Sequence, residues 1–384
     1  MQIRYMSKLN ILMIILAMLT CLSCQKEYMP EEIDEGVVIG VEVPDKILDE
    51  EVNPFLTRTS LALVDSKMQF NWGEADRIGV FNVVAESTEN TPFYYKKGTN
   101  THGETSSTAR FSCGDYEFSQ DYYWVAYSPY SFVSSGKVLD CDNLKLTYEG
   151  QTQASNATPH GIHPDETDSE YNDASEAAAS SHLGAYDYMI SAPTQPDDEN
   201  FTSFKFEHIG ATVRFYMMFP DGLFEQDKQI EVKSMSVISN SGAFVKEANL
   251  CINKQHMSAE PLAPAFSVKK KADSEEDDLV KTKELTLTFN DGNGKGVLIP
   301  DGGYLIAYME FYPVTVDEAD CSLYITAEVD GAKHYFRSAP LTKKTMKAGK
   351  LYQWTTGDLF LPIELTATLS PWTDIVGGGI STGE

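Results

Sequence analysis

Alternation with a period of two dominates this chain. Val37, Ile39, Val41 and Val43 share one face of an extended run, and the residues between them share the other. Successive side chains leave a strand on opposite faces, so this period predicts a half-buried β-strand. Similar runs recur at Leu61 and Leu63, at Val213, Phe215, Met217 and Phe219, and at Leu285, Leu287 and Phe289. Others lie at Tyr304, Ile306 and Tyr308, at Leu323 and Ile325, and at Ile363 and Leu365. Turn residues such as Asp291-Gly-Asn-Gly294, read as a hairpin cap, and Asp301-Gly-Gly303 separate the runs. In Ile230, Val232, Met235 and Val237 the apolar parity slips by one, which predicts a β-bulge. Helical signal is confined to Ala174–His182, inside the polar, acidic stretch from Gln151 to Ser181 that reads as an insertion loop. The pattern predicts an all-β chain of packed sandwiches, with 20 Tyr and 19 Phe available to fill their cores.

Two breaks divide the chain. At Ala192–Asn200 two prolines and three acids interrupt the strands, which predicts an N-terminal sandwich over 37–193 and a C-terminal one over 200–384. At the start, Arg4 and Lys8 precede an apolar run from Leu9 to Leu22. That run falls short of the ~20 residues a membrane-spanning helix needs, so residues 1–23 read as an export signal peptide. Leu22-Ser23-Cys24 resembles a bacterial lipoprotein box, although Cys21 stands where such boxes usually carry leucine. Cleavage there makes Cys24 a lipidated first residue, and the acidic stretch 24–36 becomes a tether from an outer-membrane anchor.

Charge narrows the partners. With 57 acidic against 30 basic residues the net charge is −27, which repels phosphate backbones and excludes nucleic acid as an expected partner. Cys113, Cys141, Cys251 and Cys321 are too few and too widely spaced for a disulfide-stapled miniprotein; one or two pairs, such as Cys113 with Cys141, or buried thiols remain open.

Strings that imitate catalytic motifs have structural explanations. Gly379-Ile-Ser-Thr-Gly383 has the letters of a nucleophile elbow, but the chain given stops one residue later, with no helix to follow it. His160 and His163, near Asp165, Glu166 and Asp168, lack a third metal ligand at a defined spacing and read as a solvated acidic loop. His208, among apolar strand residues, reads as a satisfied core or edge histidine. Tyr122, Tyr123, Trp124, Tyr127 and Tyr130 are either a sugar-stacking face or core; alternation favours core, as for Trp72 and Trp354. No catalytic residue, cofactor or metal is expected.

Several blocks taken in order carry a family resemblance. Phe70-Asn-Trp72, Asp76-Arg-Ile-Gly-Val-Phe81, Tyr123-Trp-Val-Ala-Tyr-Ser-Pro-Tyr130 and Asp187-Tyr-Met189 resemble the first domain of the fimbrillin family of Bacteroidales lipoproteins. Phe204-Lys-Phe-Glu-His208, Ala211, Val213, Met346-Lys-Ala-Gly-Lys-Leu-Tyr352 and Pro371-Trp372 continue the likeness through the second half. The resemblance implies two tandem transthyretin-like β-sandwich domains, surface exposure on the outer membrane, and assembly with other fimbrial subunits by donor-strand exchange. It implies that Val37, Ile39, Val41 and Val43 form the removable strand and that proteolysis falls between Arg58 and Thr59. The segment with Ile363, Leu365 and Trp372 resembles the donor, and adhesion to a host or bacterial surface ligand follows. The alternative reading is a surface glycan-binding lipoprotein.

Overall fold

The structure, a computed structural model, describes residues 37–48, 67–68, 70–82, 90–103, 106–114, 116–130, 144–162, 178–198, 201–222, 228–252, 266–356 and 361–362. Their secondary structure is almost wholly β, with only short helical turns such as Ser181–Ala185. The first half carries β1 (Val37–Pro44), β2 (Lys46–Leu48), β3 (Lys67–Met68), β4 (Arg77–Asn82), β5 (Thr91–Tyr95) and β6 (Thr101–His102). It continues with β7 (Ser106–Cys113), β8 (Trp124–Ser128), β9 (Leu144–Thr147), β10 (Thr152–Gln153), β11 (His160–Ile162), β12 (Met189–Ser191) and β13 (Phe201–His208).

Seven of these strands form a ladder that returns on itself. The hydrogen-bonded order is β1, β13, β12, β8, β4, β5, β7, and β7 pairs again with β1. An open sheet leaves two edges of unpaired backbone groups, and closure removes both. The interior is filled by alternate residues of each strand, among them Ile39, Val41, Ile78, Val80, Phe93, Phe111, Ala126, Phe204 and Phe206. Trp72 and Trp124 pack in the same core, so Trp124 and the buried Tyr127 of the aromatic block are packing residues and not a solvent-facing platform.

The second half is a sandwich. It is built from β14 (Ala211–Met218), β15 (Ile230–Ser239), β16 (Phe244–Ile252), β17 (Phe266–Val268), β18 (Leu279–Thr282), β19 (Glu284–Phe289) and β20 (Val297–Ile299). It also holds β21 (Gly303–Phe311), β22 (Val314–Val316), β23 (Cys321–Val329), β24 (Ala332–Arg337), β25 (Lys344–Met346), β26 (Lys350–Thr356) and β27 (Leu361–Pro362). One layer is ordered β11, β21, β14, β26, β2, β3, and the other β10, β19, β15, β23, β24, β27. Val213, Phe215, Leu305, Ala307, Met309 and Trp354 face Met235, Val237, Leu287, Leu323 and Ile325 across the core. The expected bulge lies between Val232 and Ser234, where the register of β15 against β23 shifts.

Three sequence expectations change here. The break before residue 200 does not separate the layers: β13, downstream of it, is inserted between β1 and β12 of the barrel. Conversely, β10 and β11 come from the stretch read as an insertion loop, yet they pair with β19 and β21 of the second half. The apolar face of β13 is what decides its place, because Phe204 and Phe206 point into the barrel. The Asp291–Gly294 turn does not cap a hairpin either: β19 and β20 both run antiparallel to β15, so the loop interrupts one line of strand. An apolar seam joins the halves, in which Phe81, Val125, Tyr127 and Ile190 on the outside of the barrel pack against Leu146, Val245, Ala248 and Leu250.

Candidate assembly site

The strand that closes the barrel is the first one described. β1 lies antiparallel to β7 over its whole length, from Val37 opposite Cys113 to Pro44 opposite Ser106. On its other side it runs parallel to β13, from Val38 opposite Phe201 to Glu42 opposite Lys205. Burial alternates as the sequence pattern requires: Val37, Ile39, Val41 and Val43 are at most 2% exposed. Each such aliphatic side chain contributes roughly 1.5–3 kcal/mol on burial. Gly40 points outward, where an added Cβ would stand 2.9 Å from Ser203 Oγ, so a small residue eases the approach of β1 to β13. Withdrawing β1 would break two ladders and leave an apolar groove between β7 and β13.

The chain then crosses from one half to the other within two residues. β2 pairs with β26 and β3 in the second sandwich, so residues 37–48 are shared between both halves. At this crossing the usual polarity is inverted. Lys46 is 2% exposed and Ile47 is 43% exposed. The Lys46 ammonium donates to Glu310 Oε1 at 2.7 Å and Thr212 Oγ1 at 2.9 Å, and meets Asp187 Oδ1 at 2.9 Å. Three ammonium hydrogens thus have three acceptors. Thr212 in turn donates to Glu310 Oε2 at 2.6 Å. His208 stands between Asp187 Oδ1 at 2.9 Å and the Pro44 carbonyl at 2.7 Å, tying the end of β1 to the same cluster.

Electrostatics follow from this geometry. Burial works against the Lys46 charge, but Asp187 and Glu310 outweigh it and hold its pKa above the ordinary lysine value. Asp187, although buried, lies between His208 and Lys46 and is lowered to about 2. Glu310 is pushed up to about 7: burial raises it, Lys46 opposes, and the charge of Asp187 adds to the rise. Gly210 is required beside it, because a Cβ there would run into the Glu310 carboxylate. A cavity of about 260 Å³ touches Lys46, Asp76, Asp187 and His208. These groups are engaged with partners, Asp76 accepting from the Gly73 backbone at 2.6 Å.

Sequence reasoning singled out β1 and His208 but not the cluster as a unit. Lys46 and Glu310 belong to no sequence motif, and Asp187 is marked only within Asp187-Tyr-Met189. One signal was present: Glu310 is the lone charge in the otherwise uncharged run Gly303–Phe311, buried throughout. Cys24, Cys141, Arg58, Thr59, His163, Asp165, Glu166, Asp168, Ile363, Leu365, Trp372 and the Gly379–Gly383 string lie outside the described residues, as does the strand expected at Leu61 and Leu63. The chain leading to the expected donor segment is seen only at β27, which pairs with β24 at the margin of its layer.

Solved structures similar to this chain along most of its length are fimbrial and candidate cell adhesion proteins of Bacteroides and Parabacteroides. A candidate cell adhesion protein from Bacteroides uniformis has 15% identity and a TM-score of 0.39, covering 86% of this chain and 97% of its own. A fimbrial protein from Bacteroides vulgatus has 15% identity and a TM-score of 0.29, covering 85% and 97%. A fimbrial assembly protein from Parabacteroides distasonis has 8% identity and a TM-score of 0.27, covering 84% and 91%. No protein-family profile and no curated protein matches the chain.

Proposed function

We propose that this chain is a non-enzymatic fimbrial subunit or fimbrium-associated surface lipoprotein that assembles with other subunits by donor-strand exchange. The observation that carries the reading is the seat of β1, an N-terminal strand held between β7 and β13 and closing the barrel. A strand in that position is replaceable by an extended segment from another chain, since main-chain hydrogen bonds give affinity and alternate pockets give specificity. The reading includes tandem transthyretin-like domains, a lipid on Cys24, an outer-membrane surface location, cleavage after Arg58 and a role in adhesion. The order of sequence blocks from Phe70 to Trp372 supports it.

The experiment is N-terminal analysis of the protein isolated from assembled fimbriae, with Arg58→Ala as the companion variant. The reading predicts a start at Thr59 and failure of the variant to polymerise. Assembled copies that all retain residues 37–48, with normal polymers from the variant, contradict it.

A further inference from the structure

The Lys46 crossing reveals what a strand replacing β1 must contain; this inference rests on the assembly reading above. We infer that Asp187, Glu310 and Thr212 form an ammonium-specific subsite of the β1 groove, and that the incoming strand must place a lysine three residues beyond its last core side chain. In this chain that spacing runs from Val43 in β1 to Lys46, the first residue of β2.

Four observations support the assignment. First, the three acceptors surround a single nitrogen at 2.7–2.9 Å, a geometry for a compact ammonium; a planar guanidinium presents its donors in a fork. Second, the acceptors belong to the body that remains when residues 37–48 leave, whereas the cation belongs to the departing segment. Third, Lys46 points inward while its apolar neighbour Ile47 points outward, so burial of the charge is not a by-product of burying a hydrophobic face. Fourth, one partner removed from a buried pair leaves the other charge uncompensated, which is far costlier than an apolar mismatch. A strand with four alternate aliphatic residues and no following cation would fill the groove and leave Asp187 and Glu310 without the ammonium they share, Asp187 keeping His208.

This requirement discriminates among donors. The C-terminal run Ile363, Leu365, Ala367 and Leu369 matches the four apolar pockets in spacing, but the position three residues beyond Leu369 is Trp372. A second copy's C-terminal segment therefore cannot fill the ammonium subsite. The fitting occupant is a strand of another chain, apolar at alternate positions and lysine-bearing at the stated distance, as residues 37–48 of a second copy are.

The test uses the full chain with a protease site introduced between residues 49 and 66, cut after folding so that residues 37–48 remain bound but untethered. Labelled peptides are then offered in excess: the 37–48 sequence, the same peptide with Lys46→Met, and the chain's own 361–374 segment. The inference predicts that the native peptide exchanges in and that the Lys46→Met peptide binds on the order of 100-fold more weakly. It predicts that the 361–374 peptide is similarly disfavoured, and that Asp187→Asn with Glu310→Gln in the body abolishes the discrimination. Equal binding of the native and Lys46→Met peptides, or full binding of the 361–374 peptide, overturns this inference and leaves strand exchange standing. Failure of every peptide to exchange overturns the assembly reading and this inference with it.

Discussion

Lys46 and Glu310 are 264 positions apart in the chain, yet Lys46 Nζ lies 2.7 Å from Glu310 Oε1, both side chains buried. That contact anchors β2, which follows the first strand of the barrel by one residue, to β21 of the second sandwich. Retention of the N-terminal segment therefore depends on both halves of the molecule.

Removing the cation exposes that dependence. Lys46→Met is expected to destabilise the intact chain by about 3–5 kcal/mol, because Asp187 and Glu310 would lose the ammonium that both of them meet in a buried site. A double-mutant cycle with Glu310→Gln, read by urea unfolding, should show strong coupling; additive effects would separate the two residues energetically.

The pH profile carries a sign that the cluster determines. Glu310 has a folded pKa of about 7, above its ordinary 4.5, so its proton is held more tightly in the folded state. Its contribution is complete below 4.5 and is lost as pH rises through about 7. Asp187, lowered to about 2 from 3.8, contributes above 3.8 and loses that contribution as pH falls towards 2. The groups facing Glu310 here are Lys46, Asp187, Thr212 and Tyr148. Stability of the wild type should decline from pH 5 to pH 8, and Glu310→Gln should flatten that decline. An identical slope in the variant would show that Glu310 does not titrate in this window.

The groove itself is tested at Ile39 and Val41. Each is buried between two ladders, so Ile39→Asp or Val41→Asp places a carboxylate in the barrel core and should cost more than about 4 kcal/mol. Thermal unfolding checks this, and an unchanged melting temperature would place β1 outside the core.

The proposed lipid on Cys24 has a separate test. Cys24→Ser is expected to release the protein from membranes, and membrane fractionation of the variant reads the outcome. Undiminished association would point to a different anchor.

The elements most legible in the sequence were those whose burial is one-sided. β1 and β19 alternate cleanly, and the parity slip near Val232 marked its bulge. Placement of β10 and β11 was not legible, because edge strands of two and three residues carry too few side chains for a period. Closure of the barrel was hidden too, since pairing of β1 with β7 depends on contacts between distant residues. The ionic cluster was illegible for the same reason: Lys46, Thr212 and Glu310 meet only after both halves have folded.

The central claim is that β1 must leave its seat for the chain to assemble. Glu42 and Thr108 lie opposite each other on the outer face of the β1–β7 ladder, where a disulfide from Glu42→Cys with Thr108→Cys would lock the strand. Fimbrial assembly of this variant, followed by electron microscopy and sedimentation with and without reductant, is the most direct measurement. The account predicts no assembly while the bond is intact and recovery once it is reduced; equal assembly in both conditions would contradict it.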